Sequence, residues 1–159
     1  MADCVVIIYV MATISEALAI AVQHHQGGRL QVAEQICRQI LQVEPNEADA
    51  WHLLGVIAHQ LGKHEASVEY LGRAISVDSA NATFCVSLGN AYRALQRTAD
   101  AVACYCRAVD LAPGSAEAHY RLGNALREQG KLDEAIACYR RAVQLKPDFD
   151  EESNNLGVT

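Results

Sequence analysis

The chain has 159 residues, 51% hydrophobic, 6% aromatic and 20% charged, with a formal net charge of −6 at pH 7. An acidic balance and few aromatic rings argue against a nucleic-acid binder, which needs a basic surface and stacking platforms. The apolar run Val5–Met11 is far shorter than the ~20 residues of a membrane-spanning helix, and with Asp3 and no Lys or Arg before it the leader does not read as a secretory signal.

Residues 1–13 do not fit the pattern that the rest of the chain repeats. Either Met11 is the natural start and the preceding residues are an upstream extension, or this segment packs on the first helix as an extra element. From Met11 onward helical patterning begins, with apolar residues at three- and four-residue steps, the mark of one buried helix face. Ser15 reads as an N-cap, with Leu18, Ala21 and Val22 facing inward. After the Gly27–Gly28 turn a second helix, Leu30 to about Val43, turns Ala33, Ile36, Cys37, Ile40 and Leu41 inward. Ala48–Asn81 repeats the pattern, opened by Trp51 and turned at Gly62–Lys63. Ala82–Ser115 follows with Gln96–Arg97 in place of a turn glycine, which predicts a slightly less tight hairpin. Ala116–Phe149 is the most regular, with Leu122, Ala125 and Leu126 on one helix and Leu132, Ala135, Ile136, Tyr139, Ala142 and Val143 on the other. Asp150–Thr159 begins a further first helix, with Leu156–Gly157 in register, so the chain reads either as an N-terminal piece of a longer array or as a reading frame that ends early.

These segments share a period of 34 residues, which aligns Pro45, Ser79, Pro113 and Pro147; Ala21, Gly55, Gly89, Gly123 and Gly157; Ala33, Ser67, Ala101 and Ala135; and Ile40, Ala74, Ala108 and Ala142. A hairpin of this size cannot bury its apolar face alone, so a period held at so many positions predicts stacked helix pairs. Trp51–Leu54–Gly55, Leu88–Gly89–Tyr92 and Leu122–Gly123, with Ala101, Tyr105, Ala108, Pro113 and Ala135, Tyr139, Ala142, Pro147, resemble the tetratricopeptide repeat. The resemblance covers Ile14 to Thr159. It implies an all-α superhelix (a TPR solenoid) of four full hairpins, 14–47, 48–81, 82–115 and 116–149, plus a truncated fifth at 150–159.

No catalytic site, cofactor or metal is expected. The six cysteines include no CxxC, and the side chains of Cys104-x-Cys106 lie roughly 200° apart around a helix. Cys37 occupies the slot of Tyr105 and Tyr139, and Cys85 that of Trp51, so the cysteines read as small hydrophobes in or near the core, reduced in a cytoplasm. His52 and His59 are seven residues apart on one helix with no acidic ligand between them, a spacing unsuited to a metal pair, and His119 starts another helix. No nucleophile elbow, P-loop or dinucleotide fingerprint occurs. Adjacent acids such as Asp133–Glu134 diverge by about 100° on a helix and suit capping better than acid–base work.

The resemblance further implies a concave surface lined by first helices, where peptides bind. In the repeat frame that surface presents His52, Leu53, Val56 and His59; Val86, Ser87, Asn90 and Arg93; and Tyr120, Arg121, Asn124 and Arg127. Asn90 with Asn124, and Arg93 with Arg127, are one period apart and should form ladders, the amides meeting a peptide backbone and the guanidiniums its carboxylates. Plain solvated helix positions are the alternative. The slots of the clamp that related proteins use for chaperone tails hold Leu18, Val22, Ser87 and Glu117, so that ligand is not expected. The expected function is a non-enzymatic scaffold for a protein or peptide partner, cytoplasmic, with self-association through the last hairpin as a further option. A second resemblance, carried by AEQICRQILQVEPNEADAWHLLGVIAHQLGKHEASVEYLGRAI and GNALREQGKLDEAIACYRRAVQLKPDFDEESNNLG, is to the N-terminal arrays of bacterial SPINDLY-like O-linked N-acetylglucosamine transferases. It implies repeats that present protein substrates to a catalytic domain this chain lacks. The groove asparagines of that family fall here on Ala19, Leu53, Ser87 and Arg121, with Asn155 alone matching.

Overall fold

The computed structural model describes residues 13–148. The N-terminal segment before Thr13, with its Met11 start, and the truncated fifth repeat, with Asn155 and Leu156–Gly157, lie outside the described residues. Those described form eight α-helices and no strand: α1 Ile14–Gln26, α2 Leu30–Val43, α3 Ala48–Gln60, α4 His64–Val77, α5 Ala82–Ala94, α6 Thr98–Leu111, α7 Ala116–Glu128 and α8 Leu132–Leu145. The fold class is all-α, as the period predicts. Contacts divide the chain between Ser79 and Ala80 into a first unit holding α1–α4 and a second holding α5–α8.

All four hairpins turn in the same way. A residue with left-handed backbone follows the first helix: Gly28 (φ 74°), Gly62 (φ 73°), Gln96 (φ 58°) and Gly130 (φ 77°). The next amide reaches back to the helix, Arg29 N to His24 O at 2.8 Å, Lys63 N to Ala58 O at 2.9 Å, Arg97 N to Tyr92 O at 2.9 Å and Lys131 N to Leu126 O at 3.0 Å. This double-bonded C-cap satisfies carbonyls that a bare helix end would leave open. The third hairpin, expected to be looser for want of glycine, closes as tightly as the others; its glutamine instead accepts a backbone conformation that L-residues avoid. Thr13, not Ser15, caps α1, its hydroxyl accepting from the Glu16 amide at 3.2 Å.

In the second, third and fourth hairpins the helices meet at a glycine; in the first that slot is Ala21, which is fully buried. A Cβ on Gly55 would lie 2.5 Å from Leu71 Cγ, and one on Gly89 or Gly123 would lie 2.5 or 2.7 Å from the Cε1 of Tyr105 or Tyr139. The core of the first unit gathers Ala17, Ala21, Ala33, Ile36, Cys37 and Ile40 with Ala50, Leu54 and Ile57. Ser67, the polar member of an otherwise alanine slot, is fully buried because its hydroxyl donates to Gly55 O at 2.7 Å. In the second unit Phe84, Cys85, Ala91, Ala101, Tyr105, Ala108, Ala118, Ala125 and Ala142 are buried. The inward assignment fails at three positions: Val22, Leu132 and Ile136 are 39%, 59% and 45% exposed. Cys106 is exposed too, so it is not a core cysteine, whereas Cys37 and Cys85 are buried. No described helix is long and apolar enough to cross a membrane.

Two glycine substitutions should therefore act in opposite directions. Gly89→Ala drives a methyl group into the buried Tyr105 ring and should cost about 1–3 kcal/mol. Gly72→Ala, mid-helix on α4 with nothing within 4 Å of its Cβ, should gain up to about 1 kcal/mol from helix propensity. Urea midpoints of the two variants against the parent chain check both signs. In the same assay Gln96→Gly should stabilise the chain by about 0.5–1 kcal/mol, since relief of the left-handed strain outweighs the added freedom of the unfolded chain.

Candidate functional site

The first-helix residues singled out from sequence divide between the two units. In the second unit α5 and α7 place Asn90 and Asn124 immediately after the contact glycines, where both are half-buried. Tyr105 on α6 donates its hydroxyl to Asn90 Oδ1 at 2.7 Å, and Tyr139 on α8 does the same to Asn124 Oδ1 at 2.8 Å. Burial pushes the Tyr105 hydroxyl up to about 12 and raises that of Tyr139, so both phenols keep their protons and act as donors. With the amide oxygen engaged, each Asn has its Nδ2 hydrogens left to offer.

The arginines are not equivalent. Arg93 pairs with Glu128, thirty-five residues on, through Nη2 to Oε1 and through Nε to Oε2 at 3.3 Å, tying α5 to α7. Its positive charge acts on the Tyr105 hydroxyl against the larger effect of burial. Of the two arginines expected to form a ladder, Arg93 holds a carboxylate of its own chain and Arg127 is exposed. Arg121 reaches Glu117 at 3.4 Å, while its Nε is buried without a partner. The Tyr120 ring lies 5.7 Å from that of Tyr139, and Ser87 and Tyr120 are both half-buried.

In the first unit the slot after the glycine is Val56, and the residue facing Gly55 is Leu71 rather than tyrosine. His52 and His59 are half-buried on the same helix. Burial lowers the pKa of His52, with Asp49 opposing; burial and then the neighbouring His64 lower that of His59. The His59 and His64 Nδ1 atoms are 3.3 Å apart, so one must donate and the other accept, which requires at least one neutral ring. His25 Nε2 meets Gln60 Oε1 at 2.9 Å, tying α1 to α3 in the register by which Arg93 and Glu128 tie α5 to α7. His119 has a packing role: its Nε2 lies 3.0 Å from Pro113 O, as the Trp51 Nε1 does from Pro45 O at 2.8 Å. Among the described residues no group of three or more candidate ligands could hold a metal ion.

Sequence reasoning did not place Tyr105, Tyr139 or Glu128 beside the first-helix residues, since it used the tyrosines only as marks of the repeat. A signal was available across the repeats. Where asparagine follows the helix glycine, the facing slot is tyrosine; where valine follows the Ala21 or Gly55 position, that slot is Cys37 or Leu71.

Models of the tetratricopeptide repeat match residues 48–81 and 86–148. No curated protein sequence matches the chain. Among solved structures, MamA aligns with a TM-score of 0.78 at 20% identity, over 87% of this chain and 81% of that one. YrrB, described as a TPR protein with an unusual peptide-binding site, aligns at 0.72 and 21% identity over 82% and 68%. An O-GlcNAc transferase of Thermobaculum terrenum aligns at 0.68 and 27% identity over 73% of this chain and 23% of that longer one. At such identity MamA and YrrB establish a shared fold. Repeat models spanning more than half the chain, on helix pairs that meet at the repeat's glycine, show that the chain belongs to the tetratricopeptide repeat family.

Proposed function

We propose that the chain is a non-enzymatic cytoplasmic scaffold that docks an extended peptide of a protein partner on the first-helix surface of its second unit. One observation carries this reading: Tyr105 and Tyr139 engage the oxygens of Asn90 and Asn124, so two amides one period apart both have N–H groups to present. Such a pair suits the carbonyl groups of an extended backbone, while Arg121 and the exposed Arg127 suit carboxylates on the same segment. Ser87 and Tyr120 supply the remaining polar and aromatic contacts, and Arg93 serves by holding α5 to α7. In the first unit His52, Val56 and His59 make a less polar surface suited to apolar side chains. The exposed Leu132 and Ile136 on α8 support self-association through the last hairpin.

A second reading is favoured by the likeness to the Thermobaculum terrenum O-GlcNAc transferase at 27% identity. In it the repeats present protein substrates to a glycosyltransferase domain. Turnover of a sugar nucleotide by this chain alone would overturn the non-enzymatic reading.

Peptides selected by the chain from a displayed random library provide the test. Asn90→Ala/Asn124→Ala should weaken the selected peptides at least about tenfold, as expected when two hydrogen bonds to backbone are lost. Tyr105→Phe/Tyr139→Phe, which keeps the rings and frees the amides to rotate, should weaken them about threefold or more. Unchanged affinity in the asparagine variant would sink the peptide surface.

The histidines add a pH dependence with a definite sign. Because the folded pKa values of His52 and His59 lie below that of an unfolded histidine, about 6.5, the unfolded chain takes up protons first on acidification. Stability is retained above that value and falls as the pH drops through the lower, folded pKa values. Urea midpoints at pH 7.5 and pH 5 should show the loss, and His59→Asn should reduce it.

A further inference from the structure

The spacing of Asn90 and Asn124 limits the backbone that can meet both. The tie from Arg93 to Glu128 joins residues thirty-five apart, as His25 to Gln60 does in the first unit. Residues one period apart on α5 and α7 are therefore lateral neighbours. Cα atoms of the two helices come within 8 Å, so the helices pack directly and their axes stand about 8–10 Å apart. Both asparagines are turned alike, since each accepts the hydroxyl of a tyrosine fifteen residues on.

A β-extended chain rises about 3.3 Å per residue with carbonyls on alternate sides, so those on one side recur at about 7 and 13 Å. Neither value matches the amide spacing. A polyproline II chain rises about 3.1 Å per residue with three residues per turn, and returns a carbonyl to the same side about every 9 Å. That value fits.

The balance of donors points to the same occupant. With their oxygens on Tyr105 and Tyr139, the asparagines present Nδ2 hydrogens, and the exposed Arg127 adds donors alone. The carboxylates of α7 are in ion pairs, Glu117 with Arg121 and Glu128 with Arg93. A proline backbone offers carbonyls and has no N–H to satisfy. Tyr120, half-buried and one turn before Asn124 on the same helix face, stacks near Tyr139 at 5.7 Å. Such a ring pair suits the flat, apolar proline side chain.

Building on the peptide surface proposed above, we infer that its occupant is a proline-rich segment in the polyproline II form. Carbonyls three residues apart meet Asn90 and Asn124, and a proline ring lies against Tyr120.

The test titrates nonaproline, acetylated and amidated at its ends, into the isotopically labelled full chain. The side-chain amide resonances of Asn90 and Asn124 should shift together to saturation. A capped nine-residue peptide of alternating threonine and serine, which has the carbonyls but not the preset backbone, should bind at least about tenfold more weakly. Asn90→Asp/Asn124→Asp keeps an oxygen for each tyrosine and removes the Nδ2 donors; it should weaken nonaproline about tenfold. The peptide comparison uses the parent chain, so it stands even where a variant fails to fold. Equal binding of the two peptides, or shifts confined to other residues, overturns the inference. Library-selected peptides that depend on both asparagines yet lack prolines three apart overturn it too, and leave the peptide surface standing. Selected peptides indifferent to the asparagines overturn the surface itself.

Discussion

At Gly55, Gly89 and Gly123 the first helix of a hairpin lies so close to a second-helix side chain that a methyl group would stand 2.5–2.7 Å from it. Close approach of this kind raises the number of dispersion contacts each side chain makes. It also lets small residues such as Ala101, Ala108 and Ala125 be fully buried. The turn geometry serves the same end. A left-handed residue and the returning amide set the angle at which the second helix starts, and the angle brings its Leu or Tyr onto the glycine.

From that contact the polar chemistry of the second unit follows. A tyrosine laid against the glycine has its hydroxyl carried beyond the apolar contact, beside the next residue of the first helix. Burying a hydroxyl without a partner costs free energy, and asparagine at that position removes the cost. In the first unit Leu71 brings no polar atom, and Val56 suits it for the same reason. The amides proposed to read a peptide are therefore held by the packing of the hairpin itself, which is how a rigid element gives a surface group a defined direction. Arg93 shows the reverse case. Its position in the repeat looked like that of a free cation, yet Glu128 lies within its reach and takes it up as a tie between helices.

The helix pairs, their order, the family and the buried anchors that the period repeats were legible in the sequence, because a 34-residue period and a three-to-four-residue apolar rhythm are one-dimensional signals that survive without coordinates; the burial of Leu53 and Val86, read as surface positions, was not. Helix ends were legible to within a residue or two; Thr13 displaced Ser15 because a cap must stand outside the first turn to accept from its amides. Only the tertiary structure decided that Gln96 takes the glycine conformation, that Arg93 is occupied, and that Tyr105 and Tyr139 aim the asparagines. Each of these depends on which atoms meet across two helices, at distances of about 3 Å. A residue pattern specifies which face a side chain is on, and a hydrogen bond depends on where its tip comes to rest.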